Sequence, residues 1–190
     1  MDLTVAPQII SFLAALVLLT SFGMLAQKRI YGLIHLFTWQ GLFLSLNTAM
    51  VGYVSESHHL YISSLLTLSL KVILLPYILH VLIRRLKIRK EVESIVNVPM
   101  TMLFGIALVI LSYHLTAPVR ELSTLMTRST LAVALATVML GLLMMITRKH
   151  AVTQIIGFLA LENGLFFAAT SATYGMPLVV ELGVALDILI

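Results

Sequence analysis

Residues 8–26 read Gln8-Ile9-Ile10-Ser11-Phe12-Leu13-Ala14-Ala15-Leu16-Val17-Leu18-Leu19-Thr20-Ser21-Phe22-Gly23-Met24-Leu25-Ala26. The run carries no charge, and its polar side chains are short hydroxyls except at its first residue. As a helix rising 1.5 Å per residue it extends about 28 Å, close to the ~30 Å hydrocarbon core of a bilayer. Lys28 and Arg29 follow at once. A charge-free run of this length closed by two cations is the pattern of a membrane-spanning helix anchored at one face.

The same pattern recurs along the chain. Apolar spans are expected at about 8–26, 31–54, 60–83, 99–116, 129–147 and 151–173, and a seventh begins near 177 and is still apolar at Ile190. Pro7, Pro99 and Pro177 stand at or just before span starts, where a missing N–H costs nothing. Thr173-Tyr174-Gly175-Met176 is a tight connection between the last two spans. The runs are too long and too continuously apolar for a β-barrel. The expected fold is therefore all-α: a polytopic membrane bundle of about seven helices, forming one integral membrane domain over 1–190. The last helix reaches only about 21 Å by Ile190, so a span completed further on is expected.

Composition agrees. Of 190 residues 60% are hydrophobic and 11% charged, with a mean hydropathy of +1.06. A soluble domain is about a quarter charged. The 12 basic residues are too scattered to track a phosphate backbone. Cysteine is absent, which excludes disulfides and thiolate-held clusters or zinc in this chain.

Charge placement gives the orientation. Lys28, Arg29, Arg84, Arg85, Lys87, Arg89, Lys90, Arg148 and Lys149 fall in alternate loops on one side, whereas Arg120 and Arg128 lie on the other. The basic loops are read as cytoplasmic and the N-terminus as outside. The run from Arg84 to Lys90 reads as such an anchor, with binding to an acidic partner or lipid as the alternative.

Four charges remain inside spans: Lys71, Glu162, Glu181 and Asp187. An ionisable side chain at that depth costs several kcal/mol unless it is paired or hydrated, and for that reason it marks either a polar path or an interhelix hydrogen bond. Lys71 and Glu162 are central in their spans, and Asp187 lies about 15 Å beyond Pro177, so these three share one layer. A lysine flanked by carboxylates on adjacent helices offers proton exchange or a cation site rather than bond-making chemistry. Pro76, five residues after Lys71, frees a backbone carbonyl and is either a plain kink or a point of water access. His35 and His80 lie near the cytoplasmic face, as interfacial histidines or as proton donors to the buried layer. Trp39, Gln40 and Asn47 mark a polar seam in the second span. Met139, Met144 and Met145 read as core packing. No nucleophile–base set, phosphate loop or metal-ligand spacing is present.

Spans 1–3 and 5–7 read as two copies of one unit. Trp39-Gln40-Gly41-Leu42-Phe43 matches Glu162-Asn163-Gly164-Leu165-Phe166, and Leu70-Lys71-Val72-Ile73-Leu74 matches Leu186-Asp187-Ile188-Leu189-Ile190. The match sets Lys71 opposite Asp187 in equivalent slots, as a pair across a parallel repeat.

Leu161-Glu162-Asn163-Gly164, the stretch Glu181-Leu182-Gly183-Val184-Ala185-Leu186-Asp187, and Leu70-Lys71-Val72-Ile73-Leu74-Leu75-Pro76 together resemble the hydrogenase-4 component E family, over essentially the whole chain. That family is similar over its last three spans to the K-type subunit of respiratory complex I, in which two intramembrane glutamates serve proton transfer. The resemblance implies that Glu162 is the first of these. Glu181 fits the second by its local phrase and Asp187 by its depth. It further implies a bacterial or archaeal cytoplasmic-membrane subunit of a group-4 [NiFe] hydrogenase or formate hydrogenlyase type complex. Antiporter-like membrane subunits and a hydrogenase-like peripheral arm would be its partners. The nickel–iron centre and iron–sulfur clusters would reside in those partners, with no cofactor here. A subunit of a cation/proton antiporter without redox chemistry, or a structural anchor, would use the same residues.

Overall fold

The computed structural model describes residues 5–55, 58–86, 92–117 and 125–173. Within them the chain is helical: α1 Ala6–Ala26, α2 Ile30–Val54, α3 His58–Thr67, a π-helical turn Leu68–Leu74, α4 Leu75–Leu86, α5 Val98–Leu115, α6 Leu125–Thr147 and α7 Ala151–Thr173. The first six expected spans match these elements to within a few residues. The seventh span, with Glu181 and Asp187, lies outside the described residues.

Two departures from the sequence reading have physical causes. The third span is a continuous run whose middle is wound as a π-helix, ending where the Leu75 N–H bonds the Leu70 carbonyl. Pro76 follows immediately and has no N–H to give, so the α-helical ladder is interrupted at this point in any case. The second departure is α2. Among the described residues five stretches are long and apolar enough to cross a membrane, namely Ala6–Ala26, Leu60–Arg85, Val98–Leu115, Thr130–Thr147 and Ala151–Ser171, and α2 is not among them. Its hydropathy is lowered by Gln40, Ser45, Asn47 and Thr48, all of which are buried. α2 packs against α1, α3, the π-turn, α4 and α7, so this polar face meets protein.

The outward faces are apolar: Phe12, Leu19, Leu65, Tyr77, Leu103 and Ile146 are all exposed. An inside-out surface of this kind on long apolar helices is that of a membrane protein. In lipid the hydrophobic effect no longer drives helices together, so close fit and interhelix hydrogen bonds must. The seam between α6 and α7 shows the fit. A Cβ on Gly164 would stand 2.7 Å from the backbone nitrogen of Val138, so any larger residue there forces the two helices apart. Met24, Leu33, Phe37, Leu79, Leu140 and Ile156 belong to the main buried cluster.

The connections 27–29 and 148–150 and the described residues 92–97 meet at one end of the bundle. The Val92 N–H donates to the Lys28 carbonyl (2.8 Å), Ile95 N–H to Thr147 (2.8 Å), and Lys149 N–H to Glu93 (3.2 Å). Arg148, expected only as a loop charge that sets topology, is 2% exposed. Its Nη2 donates to the carbonyls of Met24, Leu25 and Gln27 at 3.0, 2.8 and 3.2 Å. It thus caps the C-terminus of α1, where unpaired carbonyls and the negative end of the helix dipole favour a cation. Burial holds its guanidinium below the usual arginine range.

Candidate functional site

The site is built from three side chains that the sequence places at helix midpoints. Lys71 lies at the centre of the π-turn, Glu162 at the middle of α7, and Gln40 in the buried face of α2. Close approach of the π-turn to α2 is set by Gly41, where a Cβ would come within 3.3 Å of the Lys71 Cβ. That packing leaves the lysine stem no route to the surface, and Lys71 is 2% exposed. A buried ammonium must find partners.

It finds them on α7. Lys71 Nζ forms an ion pair with Glu162 Oε1 at 2.5 Å. Its aligned hydrogen bond goes instead to Asn163 Oδ1, at 2.8 Å. The carboxylate contact is therefore close but not directed, and Glu162 Oε1 has no hydrogen-bond donor of its own among the described residues. The ammonium also lies 5.3 Å from the centroid of the Phe166 ring, one turn further along α7, where the ring face attracts a cation. Glu162, Asn163 and Phe166 fall at positions i, i+1 and i+4, so one face of α7 meets the lysine on three sides.

The polar contacts continue beyond Asn163. Asn163 Nδ2 donates to Gln40 Oε1 (3.0 Å), Gln40 Nε2 donates to Ser21 Oγ (2.8 Å), and the Ser21 hydroxyl donates to the Val17 carbonyl (2.9 Å). The result is a buried line of hydrogen bonds from the π-turn through α7 and α2 to α1. Further along α2 the seam serves as interhelix attachment. Asn47 Nδ2 donates to the Ile10 carbonyl of α1, and Ser45 and Ser64 each donate to the other's carbonyl.

His35 on α2 and His80 on α4 are also brought together, with ring centroids 6.2 Å apart and the Tyr31 ring 5.5 Å from His80. In each, Nδ1 lies 2.8 Å from the carbonyl four residues earlier, Tyr31 or Pro76. A carbonyl only accepts, so each neutral ring carries its proton on Nδ1 and presents Nε2 as an acceptor. His80 stands about 13 Å from Lys71 along their shared helical run.

The expected seam residues Gln40 and Asn47 are buried, but Trp39 faces outward, 51% exposed, with its ring 5.7 Å from Phe43. Asn163 and Ser21 join the site without having been singled out. Their signal was a small polar residue on the buried face of an apolar helix, which many structural residues share. Lys71 takes Glu162 as its partner; Glu181 and Asp187 lie outside the described residues. No three His, Asp or Glu side chains gather as a metal site among the described residues.

The chain is 30% identical over 95% of its length to a Mycobacterium tuberculosis protein described as uncharacterised protein Rv0085, of which the match covers 83%. It is 27% identical over 94% of its length to hydrogenase-4 component E of Escherichia coli K12, again covering 83% of that protein, and the Shigella flexneri protein of the same name matches equally. No family model matches the chain, and no solved structure matches it. The residues of the buried site fall within the matched length, and the chain belongs to the hydrogenase-4 component E family.

Proposed function

We propose that this chain is a non-catalytic membrane-arm subunit of a redox-driven proton- or cation-translocating complex, of the group-4 hydrogenase, formate hydrogenlyase and complex I type. The observation that carries the reading is the Lys71–Glu162 pair. It is an ionisable couple buried at mid-helix, in a member of a family whose relatives include proteins named as a hydrogenase component. Such a couple is expensive to keep in a membrane interior, and exchange of a proton between its members is the chemistry it offers. Glu162 and Lys71 form the central step of the path, with Asp187 or Glu181 as the second carboxylate. His35 and His80 supply protons from the face that carries the basic loops. That face is cytoplasmic, with the N-terminus outside.

The reading takes 1–190 as one integral membrane domain, with a seventh helix over 177–190 and a parallel repeat of three helices. In favour of the repeat, the matched positions Gln40 and Asn163 are hydrogen-bonded to each other. Antiporter-like membrane subunits and a hydrogenase-like peripheral arm are the partners, and the nickel–iron centre and iron–sulfur clusters belong to them.

The test is a mass-spectrometric inventory of the chains that co-purify with this one in mild detergent. Hydrogenase large and small subunits support the reading. Antiporter subunits alone would overturn its redox part, and the chain recovered by itself would overturn the assembly.

A further inference from the structure

The hydrogen bonds that run from Lys71 to α1 all point one way. Lys71 Nζ donates to Asn163 Oδ1, Asn163 Nδ2 to Gln40 Oε1, Gln40 Nε2 to Ser21 Oγ, and Ser21 Oγ to the Val17 carbonyl. The direction is fixed by the two ends. An ammonium has donors and no acceptor, whereas a carbonyl oxygen only accepts. Ser21 spends its proton on Val17 and so must accept from Gln40. Gln40 must therefore turn its oxygen to Asn163, and Asn163 must turn its oxygen to Lys71. Gln40 and Asn163 are both 0% exposed, and Ser21 is 4% exposed. No solvent competes for these groups, and a fully connected chain in a low-dielectric interior polarises along its length.

From this geometry we propose that Ser21, Gln40 and Asn163 are positioning residues. They orient an acceptor on Lys71 that holds the proton at Nζ, and they close the α1 side of the site, so that Lys71 exchanges its proton on the Glu162 side and not toward α1. This rests on the relay reading of the Lys71–Glu162 pair. The closure follows from the chemistry of the chain. A hydroxyl passes a proton by accepting one and releasing another. A carboxamide can do so only by becoming its imidic acid tautomer, and two carboxamides in series stand between Lys71 and Ser21. On the other side, transfer from Lys71 Nζ to Glu162 Oε1 breaks one N–H bond and forms one O–H bond, leaving a neutral amine beside a carboxylic acid.

Removing the far anchor reaches Lys71 through three hydrogen bonds. In Ser21→Ala, Gln40 Nε2 loses its acceptor. If Gln40 turns over to recover one, Asn163 must turn over too, and the chain then presents an N–H to the ammonium. If it does not turn over, a buried donor is left unpaired. Either way the ammonium is less well held, and the proton moves toward Glu162.

The experiment uses the full chain reconstituted in lipid vesicles and infrared spectra at neutral pH. The protonated carboxyl band of Glu162 is assigned by its disappearance in Glu162→Gln. Ser21→Ala is expected to raise that band roughly threefold or more, the scale of one neutral hydrogen bond. Ser21→Thr, which keeps the hydroxyl, should restore the wild-type band. Gln40→Met, which removes the middle link at similar volume, should behave like Ser21→Ala. A wild-type band in folded Ser21→Ala and Gln40→Met overturns the proposal, as does equal behaviour of Ser21→Ala and Ser21→Thr. Loss of the folded chain in both Ser21→Ala and Gln40→Met would make the line purely structural and overturn it as well. Ion transport by the complex is not read here, so a relay that fails and a positioning chain that fails give different results.

Discussion

Lys71 and Glu162 meet as a buried ion pair although each sits in the middle of its own long apolar helical run, and the helix between them, α2, contributes Gln40 to the same polar line. A charge removed from water survives only with its partner. Replacing one member alone, as in Lys71→Met, should therefore cost about 3–5 kcal/mol, because the other charge stays buried and unpaired. The double variant Lys71→Met with Glu162→Leu should regain most of that loss. A double-mutant cycle on unfolding in detergent measures both, and additive losses would show that the two side chains are not coupled.

Arg148 should matter for stability beyond its charge. Arg148→Met leaves the carbonyls of Met24, Leu25 and Gln27 without this donor, at about 2–3 kcal/mol. Arg148→Lys keeps the charge but not the planar, multi-donor head, and should recover only part. Thermal unfolding of the purified chain checks the order wild type, Lys, Met.

Gly164→Leu should separate α6 from α7. Its side chain would start 2.7 Å from the Val138 nitrogen, a backbone atom that cannot swing aside. Overpacking of this kind costs about 1–3 kcal/mol or more, and it displaces Glu162 and Asn163 from Lys71. A lower midpoint of thermal unfolding, together with loss of ion movement, is the expected outcome.

The two histidines should act as alternatives to each other. Each presents Nε2 and spends Nδ1 on a carbonyl, so His35→Gln or His80→Gln alone should slow proton delivery modestly. The double variant should slow it by roughly a hundredfold, and added imidazole should restore part of the rate. A double variant with the wild-type rate would remove both from the path.

Much of this was legible in the residues, in ways that follow from what is local. An apolar run such as 8–26 states its own helix and length. Lys71 and Glu162 stand out because a lone charge in such a run is visible without knowing its neighbours. Who pairs with whom was not legible. The layer shared by Lys71, Glu162 and Asp187 left the partner open; among the described residues Glu162 is the carboxylate that reaches Lys71, through packing fixed by Gly41 on a third helix. Arg148 looked like any loop cation, because the carbonyls that bury it lie at the end of α1, far away in sequence. Pro76 signalled a break, but the π-turn before it depends on which carbonyls the chain leaves unpaired. Asn163 and Ser21 gave only a small polar side chain each, and their shared direction of donation exists only once α1, α2 and α7 are packed.

The central claim is that Glu162 carries a proton. Its most direct measurement is ion movement by the whole complex in sealed vesicles during redox turnover, comparing wild type with Glu162→Gln, with assembly followed on native gels. Glutamine keeps the shape and cannot take up the proton. The expected result is an assembled complex whose coupled ion movement falls at least about tenfold; ion movement at the wild-type rate in the assembled variant would contradict a proton-carrying Glu162.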